Sequence, residues 1–478
     1  MLDKISFILD GKIKTISFSE TMHLKPTTTV LQYLRGLPDH KGVKEGCAEG
    51  DCGACTVVLA EAHPDEQKLT YKAVNSCLLF LPKLHGKQLI TIENLKDRNG
   101  NLHPVQKTLA EQNGSQCGFC TPGIVMSLFG HFKSNPLQDK DAIEDTLSGN
   151  LCRCTGYQPI LEAGQLVLDG SREDYFNTEE KQVWDKLNSI SRDSVTIKTD
   201  EQIYHLPANL DETLQLKSKY PQALIIDGST DVALRVTKQH ELLPLIIDLS
   251  NVAELRQTKN GPDELQVGAG VSINALMQLA KDDFPAVYSI CKTFGSNQIR
   301  NLATVGGNLG SASPIGDLAP VLLAYRATVN VQSIRGKRSI AMDDFITGYR
   351  KTALSKDEII TGIEIPVPDE NIIIKAYKIS KRYDLDIATV SAGFKIELDN
   401  NIIKHCVLAF GGMAAQTSRA KNAEQFLVGK TWTRENAEQC MEIVRELFTP
   451  ISDARSGAEF RSLVAGNLVL KFWLESQE

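Results

Sequence analysis

The sequence predicts an α+β protein built from several domains. The chain has 478 residues, too many for one compact core, so we expect about three or four domains. Short strand patterns bounded by Gly, Asp and Pro fill residues 1–85 and return from about 375. Helix patterns that begin at prolines fill 104–168, and further helices are expected over 420–428, 433–448 and 457–474.

Composition and charge exclude several classes of protein. The net charge of −7 gives no basis for binding nucleic acid or an anionic membrane surface. The start, Met1–Phe7, lacks the basic and apolar regions of a secretory signal. We find no apolar run of 18 residues, so no membrane span is expected. These features predict a cytoplasmic protein whose thiols stay reduced.

Eight of the 11 cysteines form two dense quartets in the first third of the chain. We call Cys47, Cys52, Cys55 and Cys77 the first quartet, and Cys117, Cys120, Cys152 and Cys154 the second quartet. The Cys-x4-Cys-x2-Cys spacing of the first is that of plant-type [2Fe–2S] sites. Zinc is the alternative, because Cys-x2-Cys pairs also bind it. The three other cysteines are expected to be small core residues: Cys291, Cys406 and Cys440.

The N-terminal region is expected to be a β-grasp domain. Residues 5–9 and 13–18 alternate around Asp10-Gly11, which predicts a hairpin. A helix capped by Thr27–Thr29 should cover Val30–Leu34, before the glycine-rich cysteine loop. A strand over Thr56–Ala60 then follows. This is a small sheet with one crossing helix and a cysteine loop at its edge.

Residues 104–168 are expected to form four short helices. Pro104, Pro122 and Pro159 stand at helix starts, where proline is well tolerated. The second quartet then lies just before two of these helices. Helix N-termini offer free amides and partial positive charge, which favour a thiolate-ligated cluster. Residues 169–198 are charged and read as a linker with one short helix around Trp184.

Two glycine turns mark the second half as a nucleotide site. One follows the strand Ala223–Asp227, and the other is Thr304–Asn308. Each offers backbone amides to phosphate oxygens, although neither is a G-x-G-x-x-G fingerprint. Their alternative role is to permit tight turns. In a chain with two one-electron carriers, a flavin would couple one-electron to two-electron chemistry, with Phe294 as a candidate aromatic lid.

The residues resemble a known family. The quartets and the run Cys152-Arg153-Cys154-Thr155-Gly156-Tyr157 are similar to the iron–sulfur region of the molybdenum hydroxylases. Both glycine turns, with Ala312-Ser313-Pro314, resemble the family's FAD domain. The order and extent resemble the iron–sulfur/FAD subunit of the xanthine dehydrogenase type. The domains so implied are a ferredoxin-like domain (1–85), a helical [2Fe–2S] domain (86–168), a linker (169–198), an FAD domain of the vanillyl-alcohol-oxidase type (199–372) and an α/β C-terminal domain (373–478).

The resemblance also implies cofactors and site residues. It implies two [2Fe–2S] clusters on the two quartets, and FAD. The first glycine turn departs from the commoner Ala/Gly-Gly-Thr-Asp pattern at Asp227 and Ser229. A contact between Asp227 and FAD is expected only through the Asp227 backbone. The implied FAD contacts are Ile225, Ile226, Asp227, Gly228, Ser229, Thr230, Asp231, Val232, Phe294, Thr304, Val305, Gly306, Gly307, Asn308, Asp317, Ile360 and Lys378.

The sequence shows no molybdopterin region, so the resemblance implies a large molybdopterin-binding partner in an α2β2 assembly. Purine would be oxidised there, and electrons would pass through the second quartet, the first quartet and FAD to NAD+. No residue of this chain is expected to be catalytic at molybdenum. Alternatives are an aldehyde or another N-heterocycle as substrate, and oxygen as acceptor. A zinc-stabilised scaffold protein is the non-enzyme alternative.

Overall fold

The computed structural model describes residues 2–21, 23–63, 66–134, 140–169 and 173–477. The chain divides into two compact units, which we treat separately. Unit 1 comprises Met1–Thr213, Gln222–Val252 and Ser296–Ala303. Unit 2 comprises Leu214–Pro221, Ala253–Gly295 and Thr304–Glu478.

Unit 1 begins with a five-stranded mixed sheet crossed by one helix. The predicted hairpin is confirmed: Lys4 pairs with Ser17, and Asp10 and Gly11 turn the chain with positive φ. Thr29 accepts a hydrogen bond from the Gln32 amide and starts the predicted helix. In sheet order the strands are Lys12–Ser17, Lys4–Leu9, Gln88–Ile90, Thr56–Ala62 and Leu69–Asn75; the helix is Val30–Gly36, and 3-10 turns cover Leu81–Leu84 and Ile92–Leu95.

Four helices follow among the described residues of the next segment, as predicted. Pro104 is the first residue of its helix, whereas Pro122 and Pro159 are the second residues of theirs. The second helix is buried along most of its length against the sheet of the first domain. The four helices are Pro104–Glu111, Thr121–Ser134, Lys140–Leu147 and Gln158–Asp169.

The predicted linker contains a longer helix than expected. Ser171 and Arg172, which contributed to that prediction, lie outside the described residues. A 15-residue helix covers Tyr175–Ser189 and buries Phe176, Val183 and Leu187. Asp174 caps it and also pairs with buried His103 and Lys133. These tertiary contacts extend the helix beyond the short one that the local sequence suggested around Trp184.

The last part of unit 1 is a four-stranded sheet that ends at the first glycine turn. The predicted strands around 223–227 and 245–249 are both present, and they pair in parallel. Its strands, in order, are Val195–Lys198, Ile203–Leu206, Leu245–Asp248 and Leu224–Ile226; the helices are Leu210–Lys219 (which runs on into unit 2), Val232–Thr237 and Asn297–Arg300.

Unit 2 contains two antiparallel sheets with helices, and the predicted C-terminal strands and helices are present. The first sheet is Thr258–Asn260, Glu264–Gly268, Ile359–Pro366, Thr328–Ser333 and Gly336–Ala341. The second is Ile372–Ile379, Val390–Asp399, Ile402–Gly411 and Ser418–Arg419, and Ile346–Gly348 pairs with Lys351–Thr352. The helices are Ala253–Arg256 (3-10), Ile273–Leu279, Pro285–Lys292, Val305–Gly310, Leu318–Ala324, Met342–Phe345, Lys421–Leu427, Arg434–Leu447 and Ala458–Glu475.

Across the part of the chain that the structure describes, we find no helix with both the length and the apolar character needed to cross a bilayer.

Candidate functional site

The first quartet lies in a turn-rich loop of unit 1. The loop takes left-handed conformations at Gly50 and Gly53, where φ is 88° and 65°. Its turns aim the Glu49 and Cys52 amides at Cys47 Sγ, each at 3.4 Å. Cys55 and Cys77 are buried with their sulfur atoms 3.4 Å apart. The structure therefore brings the loop cysteines and the distant Cys77 into one region.

Hydrogen bonds between thiols give the cysteines of the first quartet different pKa values. A hydrogen bond from Cys52, helped by backbone amides, lowers the pKa of Cys47 to about 5. A hydrogen bond from Cys77 likewise lowers the pKa of Cys55. The same bonds raise the pKa of Cys52 and of Cys77. Each pair thus combines one cysteine that ionises more readily with one that ionises less readily, and thiolate is the metal-binding form.

The second quartet also pairs its sulfurs, but at the surface of unit 1. Cys117 bonds to Cys154, and both are exposed. Cys120 bonds to Cys152, which is buried and lies 3.1 Å from the Thr155 hydroxyl. The Tyr157 hydroxyl accepts a hydrogen bond from the Cys152 amide at 2.9 Å. The Thr155 and Tyr157 hydroxyls therefore help to hold the loop around Cys152.

Local hydrogen bonds also set the acidity of the second quartet. The Phe119 amide, and then the Cys154 thiol, lower the pKa of Cys117, while that same thiol pair raises the pKa of Cys154. Burial raises the pKa of Cys120 to about 12. Burial also opposes ionisation of Cys152, but the Thr155 hydroxyl and amide outweigh it and lower the pKa of Cys152.

The thiols of each quartet lie in two hydrogen-bonded sulfur pairs. A [2Fe–2S] cluster distributes its four thiolates over two irons. Two sulfur pairs in each quartet match that donor set.

The two cysteine loops touch through their backbones. Leu151, next to Cys152, donates its amide to the Cys52 carbonyl at 3.1 Å. A Cβ on Gly53 would lie 2.2 Å from the Gly149 carbonyl oxygen, and one on Gly123 would lie 2.1 Å from the Gly53 oxygen. Only glycine allows so close an approach. Both quartets therefore share one contact region.

Two amide side chains support this contact region and were missed from the sequence. Asn150 donates to the Gly53 carbonyl at 3.2 Å and accepts from Ser127 at 2.6 Å. Gln298 donates to Asn150 at 2.9 Å and to Ser127 at 2.8 Å. The position of Asn150, two residues before Cys152, was an available signal. Gln298 lies 148 positions from Asn150, and nothing local pointed to it.

The first predicted flavin turn, Ile225–Val232, lies in unit 1 at the end of a strand. A Cβ on Gly228 would lie 2.1 Å from the Leu302 carbonyl oxygen, so this position requires glycine. Ser229 is buried with φ 57° and donates its hydroxyl to the Leu78 carbonyl at 3.1 Å. The Asp227 carbonyl accepts a hydrogen bond from Lys83. This bond occupies a backbone atom of the residue for which only a backbone contact to FAD was expected.

The other predicted flavin residues lie in unit 2. Thr304 caps the helix Val305–Gly310 by accepting from the Gly307 amide at 3.1 Å. A Cβ on Gly306 would lie 2.6 Å from Ala269 Cβ, and one on Gly316 would lie 3.7 Å from Asn308 Oδ1. Ile360 is in the strand Ile359–Pro366 and lies 3.4 Å from the Cβ position of Gly310. The second glycine turn thus packs against its own sheet.

Unit 2, which contains the second glycine turn, also contains a buried ion pair. Lys378 donates to Asp317 Oδ2 and to the Thr293 carbonyl, next to Phe294, both at 2.8 Å. Burial raises the pKa of Asp317, against the attraction of Lys378. Asp317 Oδ1 is buried with no hydrogen-bond partner among the described residues. An unsatisfied buried oxygen beside a lysine is a feature that a bound polar group could complete.

Four protein families match successive parts of the chain. The 2Fe-2S iron-sulfur cluster binding domain matches residues 15–81, and the [2Fe-2S] binding domain matches 91–165. The FAD binding domain in molybdopterin dehydrogenase matches 196–368. The CO dehydrogenase flavoprotein C-terminal domain matches 375–476. The first match contains the first quartet, and the second match contains the second.

Curated relatives cover nearly the whole chain. Xanthine dehydrogenase of Emericella nidulans is 36% identical over 90% of this chain, and xanthine dehydrogenase/oxidase of Gallus gallus is 30% identical over 99%. The chain spans only 35% and 40% of the length of these relatives.

Solved structures share the fold over little more than half of the chain. A carbon monoxide dehydrogenase from Hydrogenophaga pseudoflava matches with TM-score 0.54 and 22% identity, over 56% of this chain and 94% of that one. Quinoline 2-oxidoreductase from Pseudomonas putida 86 matches with TM-score 0.53 and 26% identity, over 58% of this chain and 98% of that one.

Proposed function

We propose that the chain, which matches two [2Fe–2S] domains and the FAD domain of molybdopterin dehydrogenases, belongs to the molybdenum hydroxylase family and is the electron-transfer subunit of a cytoplasmic xanthine dehydrogenase. A large molybdopterin-binding partner, in an α2β2 assembly, would oxidise hypoxanthine and xanthine to urate. This chain would carry the electrons to NAD+. Similarity to xanthine dehydrogenases at 30–36% identity supports the choice of substrate class.

The observation that carries the proposal is the contact between the two quartets. Both lie in one compact unit. The amide of Leu151, next to Cys152 of the second quartet, donates a hydrogen bond to the carbonyl of Cys52 in the first quartet at 3.1 Å. One-electron carriers so arranged can pass electrons from one to the next. A zinc-stabilised scaffold has no need for this arrangement.

Exposure supports the order in which the quartets act. Cys117 and Cys154 of the second quartet are exposed, whereas Cys55 and Cys77 of the first are buried. Exposed apolar side chains surround the second quartet: Phe119 at 47%, Leu151 at 40% and Tyr157 at 39%. Such a patch is typical of a protein-docking surface. We therefore place the molybdenum partner against the second quartet.

The chain's own residues would hold and tune the carriers. Bound clusters would relay single electrons, and bound FAD would collect two and deliver a hydride to NAD+. The two quartets supply thiolates, and nearby amides such as those of Glu49 and Phe119 stabilise negative charge on sulfur. Lys378 and Asp317 are the charged residues of unit 2 that we assign to flavin binding, with the glycine turn Thr304–Asn308 of the same unit.

Spectroscopy of the purified full-length chain tests the carrier assignment. We expect flavin absorption bands over broad iron–sulfur absorption, and two distinct [2Fe–2S] signals in electron paramagnetic resonance (EPR) of the reduced protein. A colourless protein that contains zinc would overturn the assignment in favour of the scaffold alternative. A single EPR signal from fully loaded protein would disprove the two-cluster prediction.

Co-purification tests the partner and the substrate. We expect a large molybdopterin-binding chain to co-purify, and the complex to reduce NAD+ with xanthine. Activity with oxygen but not NAD+ would reassign the acceptor. Activity with an aldehyde but not xanthine would reassign the substrate, which the partner determines.

An N-heterocycle other than purine is the second candidate substrate. The 26% identity to quinoline 2-oxidoreductase favours it over an aldehyde. Comparison of xanthine and quinoline turnover by the same complex separates the two.

A further inference from the structure

A buried lysine joins the segment after Cys77 to the predicted flavin turn. Lys83 is 3% exposed and lies 2.9 and 3.0 Å from the two oxygens of Asp248, which is fully buried. Tyr204, also fully buried, donates its hydroxyl to the same carboxylate. A buried charge is costly unless it is paired and hydrogen-bonded. The three side chains therefore form a satisfied and rigid network.

The same lysine reaches the flavin turn itself. Lys83 donates a further hydrogen bond to the Asp227 carbonyl, and Asp227 is the first residue after the strand Leu224–Ile226. Leu249, next to Asp248, donates its amide to the Ile226 carbonyl at 2.8 Å. The end of this strand is thus held by the lysine network from one side and by its neighbouring strand from the other.

Ser229 makes a second link between the same two segments. Its hydroxyl donates to the carbonyl of Leu78, the residue directly after Cys77. Its φ of 57° is one that non-glycine residues rarely adopt. The hydrogen bond therefore holds the turn in a conformation that the serine backbone does not favour. The Ser229 link depends on a side-chain hydroxyl, whereas the Lys83 link ends on a backbone carbonyl.

We propose that Lys83 and Ser229 are positioning residues that fasten the flavin turn to the Cys77 segment and so set the rate of electron transfer from the first-quartet cluster to FAD. The inference rests on the proposed function. Each step moves one electron from the reduced cluster to the flavin, and the second-quartet cluster re-reduces the first. Two such steps and two protons from water convert FAD to its dihydro form.

Ser229 gives the sharper test, because two substitutions separate the hydroxyl from the backbone. Ser229→Gly removes the hydrogen bond and relieves the left-handed φ, whereas Ser229→Ala removes the bond and keeps the strain. Transfer is followed by pulse radiolysis of the fully loaded complex, recording cluster oxidation and flavin reduction. We expect both variants to slow transfer severalfold, because loss of the hydrogen bond frees the turn from the Cys77 segment and so lengthens the path between the two carriers.

The same measurement of the electron-transfer rate supplies the control and the result that would contradict the proposal. Ser189→Ala removes a similar hydroxyl-to-carbonyl bond, to Lys186, at the exposed C-terminal end of the helix Tyr175–Ser189, and should leave the rate unchanged. Slow transfer in Ser229→Ala with a normal rate in Ser229→Gly would overturn the proposal, because strain alone would then explain the effect. A normal rate in both would also overturn it.

Lys83 is tested against a matched buried lysine. Lys133 is 8% exposed and pairs with buried Asp174 at 2.9 Å, but it does not touch the flavin turn. Lys83→Met should slow cluster-to-flavin transfer severalfold, as in Ser229→Gly, because it frees the Asp227 carbonyl of the turn. Lys133→Met should keep the normal rate although it also breaks a buried ion pair. Equal slowing in both lysine variants would mean general loosening of unit 1 and would overturn the role of Lys83.

Cofactor content distinguishes this proposal from the proposed function. Both serine variants should retain FAD and both EPR signals, so that only the transfer rate changes. Absence of clusters or flavin in the unsubstituted protein would instead contradict the proposed function itself.

Discussion

The two cysteine quartets have the same number and type of ligands but different surroundings. The first contains two fully buried cysteines and amides turned towards sulfur, whereas the second exposes Cys117 and Cys154. Burial, hydrogen bonds to sulfur and solvent exposure are the main means by which a protein tunes an iron–sulfur potential. Equal ligand sets therefore do not imply equal roles. The exposed quartet is suited to meet a partner, and the buried one to pass electrons within the chain.

The largest expected effect is the loss of one cluster at a time. Cys154→Ser should abolish the EPR signal of the second quartet and spare that of the first, because each cluster needs its own thiolates. Cys55→Ser should do the reverse. Cys440→Ser, which changes a buried cysteine outside both quartets, is the control and should keep both signals. Loss of both signals in either quartet variant would contradict independent cluster binding.

Metal removal should follow exposure. The oxidised protein is incubated with an iron chelator and then reduced for EPR. We expect the second-quartet signal to be lost while the first-quartet signal remains, because the chelator reaches exposed sulfurs first. Mass spectrometry after thiol alkylation should then find Cys117 and Cys154 modified ahead of Cys55 and Cys77. The opposite order would show that exposure does not distinguish the quartets.

A smaller effect is expected at the glycine contact between the two loops. Gly53→Ala would place a Cβ 2.2 Å from the Gly149 oxygen at a residue with φ 65°. We expect the free energy of unfolding to fall by about 3 kcal/mol. Gly100→Ala is the control, because Gly100 also has positive φ but no atom within 4 Å of its Cβ position. Gly100→Ala should lower the free energy of unfolding by about 1 kcal/mol. An equal loss in both variants would show that the clash with Gly149 is not the cause.

The smallest effect concerns support of the helical domain. Arg300 is fully buried and donates to both oxygens of partly exposed Asp145 at 2.6 and 2.7 Å. Arg300→Met should lower the free energy of unfolding by about 2 kcal/mol, because it leaves this carboxylate without its partner. Lys140→Met breaks the exposed Lys140–Glu144 pair and should cost less than about 0.5 kcal/mol. Chemical denaturation compares the two, and a larger loss in the lysine variant would contradict the ranking.

Structural features that depend on neighbouring residues in the chain were predicted correctly from the sequence. The Asp10-Gly11 hairpin, the Thr29 cap and the helix that begins at Pro104 are all present as expected. Cysteine spacing and the glycine turns likewise pointed to the cofactors, because both motifs are contiguous or nearly so.

Contacts between distant segments were beyond reach of the sequence. Gln298 meets Asn150 across 148 positions, and Lys83 meets Asp248 across 165. No periodicity or motif links such residues. The helix over Tyr175–Ser189 was underestimated for the same reason, since the partners of its Asp174 cap lie far back in the chain. Assignment of individual residues to FAD remains a prediction for the experiments above.

The glycine-to-glycine approach at Gly53 and Gly149 also bears on maturation of the protein. Because the two loops hold each other through main-chain atoms, whatever orders one loop reduces the entropy that the other must still lose. Insertion of iron and sulfide at one quartet would therefore lower the ordering cost that the neighbouring quartet must meet, although each quartet supplies its own four thiolates. The loop contact would thus assist filling of the second site without being required for it.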